Sequence, residues 1–225
     1  MTTFTTVHLC HKCHLSPPLK NSTDKKTRKQ ISLKAMDKQF NPDGFIPKYG
    51  GYERLITYQK SEIIYDGTYY FCEKFLHPYD RTVGQMQQAA RSGKQNIVEA
   101  SMASGTSKET EIKLTNVARA SLEELKIDYA DFLRVHHLKF WDKSHPYYAA
   151  LTIKHKTPNA TYDTYRKGIE NHDPEVAANV LLSLVNVTSY LLAQQLKTLE
   201  REFLNEGGLR ERMSQARMNV RKKQN

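Results

Sequence analysis

Residues Arg81 to Leu133 read RTVGQMQQAARSGKQNIVEASMASGTSKETEIKLTNVARASLEELKIDYADFL, and the spacing of their apolar residues decides the fold. Val83, Met86, Ala90, Gly93, Ile97, Ala100 and Ser104 recur at alternating steps of three and four. That is the seam of one helix packed along another. Most of these side chains are small, so a neighbouring backbone can come close. Gly105 breaks the run. Thr106 and Glu109 then have capping-box spacing, in which a hydroxyl accepts from an orphan N–H while a carboxylate reaches back. Leu114, Ala118, Leu122, Leu125, Tyr129 and Phe132 form the apolar face of the next helix, to about Leu138. No catalytic set lies on either helix.

Working outward, a preceding helix is expected from about Gly51 to Leu76. Its stripe is Leu55, Tyr58, Tyr65, Tyr69, Cys72 and Leu76, and His77-Pro78 stops it. Downstream, residues 139–172 are irregular, with a short helix expected near Thr161 to Glu170. Asp173-Pro174 supplies an N-cap and an N1 proline, and a fourth long helix runs to about Asn205, where Gly207-Gly208 ends it. Val176 to Leu192 is apolar around much of the helix girth. With Val180, Leu184, Val187 and Leu191 turned to the bundle, Leu181, Leu182, Val185 and Leu192 are left for other sides. A helix that is apolar all round needs two partners. These four residues are therefore the expected homo-oligomer interface, with packing of the 139–172 segment as the competing explanation.

The expected fold is all-α: an up-down four-helix bundle over residues 49–206, with 139–172 inserted between its third and fourth helices. A basic N-terminal arm (1–48, expected to be disordered) and a basic C-terminal suffix (207–225) flank it; Leu209 to Lys223 has helical potential, and helical spacing would put Arg210 and Arg217 on a shared face. The net charge of +10 is concentrated in those ends. Residues 1–50 carry +6 and residues 207–225 carry +5, whereas 51–206 sum to −1. Such ends attract polyanions by counterion release, without regard to base sequence; solvated, inert ends are the plain alternative. No run reaches eighteen consecutive apolar residues, and residues 1–9 lack the pattern of an export signal. With three cysteines, a cytoplasmic protein without a membrane span or disulfides is expected.

The block Gln85 to Glu99, QMQQAARSGKQNIVE, followed by Ala118 to Leu125, ARASLEEL, resembles a four-helix-bundle family. Its members include proteins encoded in intervening sequences of bacterial 23S ribosomal RNA genes and accessory proteins of diversity-generating retroelements. The suffix Gly207 to Arg212, GGLRER, is similar to that of a longer-chain branch. Ala100 stands where the family pattern has glycine, and the long insertion is a further departure. The resemblance implies a non-enzymatic basic bundle that assembles into a ring-like homo-oligomer, pentameric in the retroelement members. Those members bind nucleic acid and a reverse transcriptase.

Chemical motifs are sparse. Cys10, Cys13 and His14 supply three of the four ligands a zinc site needs, and no fourth is evident, so no metal or cofactor is expected. His136 and His137 are adjacent and point apart on a helix. Helix 3 lacks the Glu-x-x-His pairs of di-iron bundles. Arg91, Asn96 and Glu99 either ring an oligomer pore or touch a partner, or else pair with residues of the next helix such as Arg119 and Glu123 or simply point to water. Lys139, Phe140, Trp141, Lys143, Tyr147 and Tyr148 interleave cations with aromatics, as a single-strand-binding surface does, or simply cover the bundle end. No phosphate loop or nucleophile arrangement points to an enzyme. The expected function is an accessory protein gripping RNA or DNA backbone. Its contacts would be Arg210, Arg212, Arg217, Arg221, Lys222 and Lys223, with Lys25, Lys26, Arg28 and Lys29 of the arm. The alternative is a protein-interaction scaffold that does not bind nucleic acid.

Overall fold

The computed structural model describes residues 45–46 and 48–224, all within the compact unit Asp43–Asn225. Among the described residues the secondary structure is helical, without a strand. The expected arm, its basic cluster at Lys25, Lys26, Arg28 and Lys29, and the Cys10, Cys13, His14 set lie outside the described residues.

A 3-10 turn at Tyr52–Arg54 precedes α1 (Ile56–Phe75). Asp80 opens α2 (Arg81–Ala103) by accepting from the Thr82 N–H at 2.8 Å. The next cap is Ser107 rather than Thr106: Ser107 accepts from the Thr110 N–H at 3.1 Å and starts α3 (Lys108–Val135), while the Thr106 hydroxyl turns back to the Ala103 carbonyl. Two short helices lie in the 139–172 segment: α4 (Pro146–His155), which was not foreseen, and α5 (Tyr162–Ile169), where a short helix was expected. Asp173 and Pro174 begin α6 (Pro174–Glu206), as their cap chemistry predicts. Gly207, at φ +70°, ends α6 in a conformation that favours glycine, and α7 (Leu209–Gln224) follows.

Four long helices pack in a circuit, α1 on α2, α2 on α3, α3 on α6 and α6 on α1. Within it Ile64, Phe71, Met86, Leu122, Leu125, Tyr129, Leu181 and Leu184 are all solvent-free. Phe71 meets the rings of Tyr129 and Phe132 edge-on at 5.1 and 4.8 Å, a favoured aromatic geometry. The small-residue seam of α2 lies where its spacing placed it, with Met86, Ala90, Gly93, Ile97 and Ala100 buried. A Cβ on Gly93 would stand 2.9 Å from Leu122 Cδ2, so the missing side chain is what lets α3 come so close.

The buried face of α1 is not the expected tyrosine stripe. It runs through Thr57, Lys60, Ile64, Gly67, Thr68 and Phe71; of the expected stripe Cys72 alone is buried, and Tyr69 is exposed. Polar residues hide this face in the sequence, and local bonding makes their burial tolerable. Thr68 donates to the Ile64 carbonyl at 2.7 Å and accepts from the Tyr129 hydroxyl at 2.9 Å. Gly67 leaves the space that Leu181 occupies.

On α6 the expected assignment of faces is corrected. Leu181, Leu182, Val185 and Leu192, assigned to an oligomer contact, are at most 2% exposed within their own chain. They belong to its core cluster together with Ile169 and Leu151 of the inserted helices. Val187 and Leu191, assigned to the bundle, are half-buried. The second partner of this apolar helix is thus the 139–172 segment, and burying these four residues requires no other copy. By length and composition the span Pro174–Lys222 is apolar enough to cross a membrane, at mean hydropathy 1.7 in its richest window; 56% of that window is buried inside the chain.

Candidate functional site

The polar residues of α2 bond locally. Asn96 donates to the Ser92 carbonyl at 2.8 Å, and the Ser92 and Ser121 hydroxyls meet at 2.9 Å across the α2–α3 seam. Arg119 bonds Asn116 and Glu123 bonds Lys126, so neither pairs with α2. Arg91 and Glu99 are exposed. The mixed aromatic segment divides. Trp141 is buried, stacked on His145 at 4.5 Å, its indole N–H donating to Glu175 at 3.2 Å. Phe140 and Tyr147 are exposed. His136 caps α3 and packs on Phe132, and His137 takes φ +56° just past it. Among the described residues no three His, Cys, Asp or Glu side chains cluster as metal ligands.

The suffix forms a helix that projects cations. Arg210, Arg217, Arg221 and Lys222 are exposed and Arg212 is half-buried. At 100° per residue, Arg210, Arg217 and Arg221 fall within a sector of about 40°, spread along about 16 Å of axis. No other described helix packs along α7. Its start is fixed by chemistry: the Glu211 carboxylate accepts the Gly208 N–H at 2.8 Å, and backbone N–H groups hold that carboxyl below its usual range. One acid at the first turn of a helix otherwise rich in arginine also suits the positive end of the helix dipole.

A second constellation, not foreseen from the sequence, sits where the inserted helices meet α1 and α6. His155 Nδ1 lies 3.0 Å from the Tyr165 hydroxyl and His155 Nε2 lies 2.7 Å from Ser183 Oγ, while Lys60 Nζ donates to the His155 carbonyl at 3.1 Å. Burial, aided by the nearby Lys60 charge, pushes the imidazole down to about 4. The ring is therefore neutral at physiological pH. Sequence spacing could not reveal it, because its members come from four elements. One signal was available: counting back along α1 from Phe71 and Ile64 by helical steps reaches Lys60, a cation on the face toward the core.

Compared with protein-family models, curated proteins and solved structures, the chain matches none.

Proposed function

We propose that this chain is a non-enzymatic, backbone-directed nucleic-acid-binding protein: an up-down four-helix bundle that presents α7 as its contact. The alternation of helix directions is supported by contacts between helix ends. Thr57 at the start of α1 bonds Gln195 late in α6 (3.3 Å), and Lys108 at the start of α3 pairs with Glu202 at the end of α6 (3.1 Å). The four-residue connection from α2 to α3, with Ser92 beside Ser121 midway along each helix, supports the same antiparallel sense for that pair. The family resemblance of Gln85 to Glu99 agrees with this architecture and with a nucleic-acid partner, and it makes a reverse transcriptase the protein partner to test first.

The observation that carries the functional reading is the exposed arginine face of α7. Arginine offers a planar fork matched to phosphate oxygens, and a row of three along one helix face tracks a phosphate backbone without reading bases. The phosphate-binding residues proposed are Arg210, Arg217 and Arg221, with Arg212, Lys222 and Lys223 adding charge. Removing residues 207–225 tests this. The truncated chain should lose at least about tenfold in affinity for single-stranded RNA at low salt, while its thermal midpoint stays close to that of the full chain because α7 packs along no other described helix. Unchanged affinity would refute it.

A second reading, a docking scaffold, is favoured by one feature of the same helix. Leu209, Met213, Ala216 and Val220 form a stripe at steps of four, three and four, with Met213 39% and Val220 54% exposed. A second helix would cover such a stripe. On that reading the truncation changes particle size in light scattering and leaves RNA affinity as it was.

A further inference from the structure

A cleft of about 980 Å³ opens between the inserted segment, the start of α1 and the middle of α6. Its walls are mostly apolar by area, with Trp141, Leu151, Leu182 and Leu191 among the lining residues; of the several polar side chains that also line it, Lys60 of α1 and Ser183 of α6 are both tied to His155. The volume falls at the upper end of small-molecule sites, and an apolar lining with a few convergent polar groups is their usual composition.

Lys60 is the anomaly. Only 3% of its surface is exposed, and its ammonium makes one hydrogen bond, to a neutral carbonyl. The half-buried Lys108 is treated differently: it is clasped by Glu111 at 2.8 Å and Glu202 at 3.1 Å. No carboxylate among the described residues pairs with Lys60. An ammonium out of water without a counter-charge is costly, and burial accordingly lowers its proton affinity. Two of its three N–H donors are left for something else.

Ser183 is prepared in the same sense. Tyr165 is 1% exposed and its hydroxyl has one polar neighbour, His155 Nδ1. A buried phenol hydrogen left unbonded would cost free energy, so Tyr165 donates to Nδ1. The neutral ring then carries its proton on Nε2 and donates to Ser183 Oγ. The hydroxyl of Ser183, having accepted, keeps its own hydrogen for the cleft. Tyr165 and His155 therefore act as positioning residues that turn Ser183 into a donor. A ring nitrogen that already holds a proton does not accept one from Ser183, so the same arrangement argues against Ser183 as a nucleophile.

We propose that this cleft binds a small organic anion, an apolar body carrying a carboxylate or a phosphate, with the anionic head between Lys60 and Ser183 and the body against Trp141 and the leucines. The head supplies the counter-charge that Lys60 lacks, and the site is separate from the arginine face of α7.

Isothermal calorimetry on the full chain tests this with three probes of one shape: naphthalene-2-carboxylate, 2-naphthyl phosphate and the neutral naphthalene-2-carboxamide. At least one anion should bind about tenfold or more tightly than the carboxamide, the scale of one charge-assisted contact. Whichever anion binds tighter identifies the head group. Lys60→Met should erase that preference while leaving carboxamide affinity within about twofold, and Lys60→Gln replaces it if circular dichroism shows the Met variant unfolded. Lys143→Ala, which removes an exposed lysine at the rim, should change little. Equal binding of all three probes, no binding of any, or a preference that survives loss of Lys60 would each overturn the proposal.

Discussion

At the residue scale, His155 links its environment to a measurable pH dependence. The ordinary imidazole value is 6.5, and burial with the Lys60 charge brings it to about 4 in the folded chain. Between those values the unfolded chain binds a proton that the folded chain refuses. The contribution to stability is complete above about pH 6.5, is lost as pH falls toward 4, and is flat below. Partial exposure of the ring screens part of the effect, which leaves on the order of 2–3 kcal/mol. Urea unfolding of the wild type and of His155→Gln should therefore show a stability gap that narrows by about that amount from pH 7 to pH 4.5. A gap that stays constant over this range would mean that His155 titrates normally. None of this was legible in the sequence. His155, Tyr165 and Ser183 are unremarkable alone, and their chemistry exists only once α4, α5 and α6 are folded against each other.

The α2–α3 seam was legible at the scale of elements, and for a clear reason. Met86, Ala90, Gly93 and Ile97 have a period that only a helix buries on one side, and no polar residue interrupts it. Gly93 is its tightest point, where an added Cβ would fall 2.9 and 3.1 Å from two atoms of Leu122, a fully buried side chain. Gly93→Val should destabilise the chain by about 2 kcal/mol. Overpacking costs roughly 1–3 kcal/mol, and a β-branched residue regains little of glycine's poor helix propensity. Chemical denaturation measures this; a neutral or stabilising outcome would show that the two helices are not held so close. The first and last long helices were less legible. On α1 the core face carries Thr57, Lys60, Ser61 and Thr68, so hydropathy pointed to the tyrosines one step around. On α6 apolar residues occupy nearly every side, and period alone cannot say which side meets which neighbour. The inserted helices decide it: Ile169 and Leu151 join the cluster that holds Leu181 and Leu182, and what looked like surface for a second copy is interior.

For the whole molecule, charge and architecture are separable. Helices α1, α2, α3 and α6 share one apolar core, while the suffix carries five of the ten net positive charges on a helix packed along none of them. That division was visible in the composition, because past Gly207 six lysines and arginines stand beside a single glutamate. The helical potential of the suffix already predicted Arg210 and Arg217 on one face; α7 forms as a helix and its pitch adds Arg221 to that face.

The central claim, that this face grips phosphates, is tested most directly by the salt dependence of nucleic-acid binding. Each phosphate contact contributes about 0.7 to the slope of log affinity against log salt for a single strand and about 0.9 for duplex DNA. Replacing Arg210, Arg217 and Arg221 together with glutamine should therefore make the slope shallower by about 2 to 3, with weaker binding at every low salt concentration. A slope that is the same for the wild type and the triple variant, or a wild-type chain that binds no nucleic acid at low salt, would contradict the account.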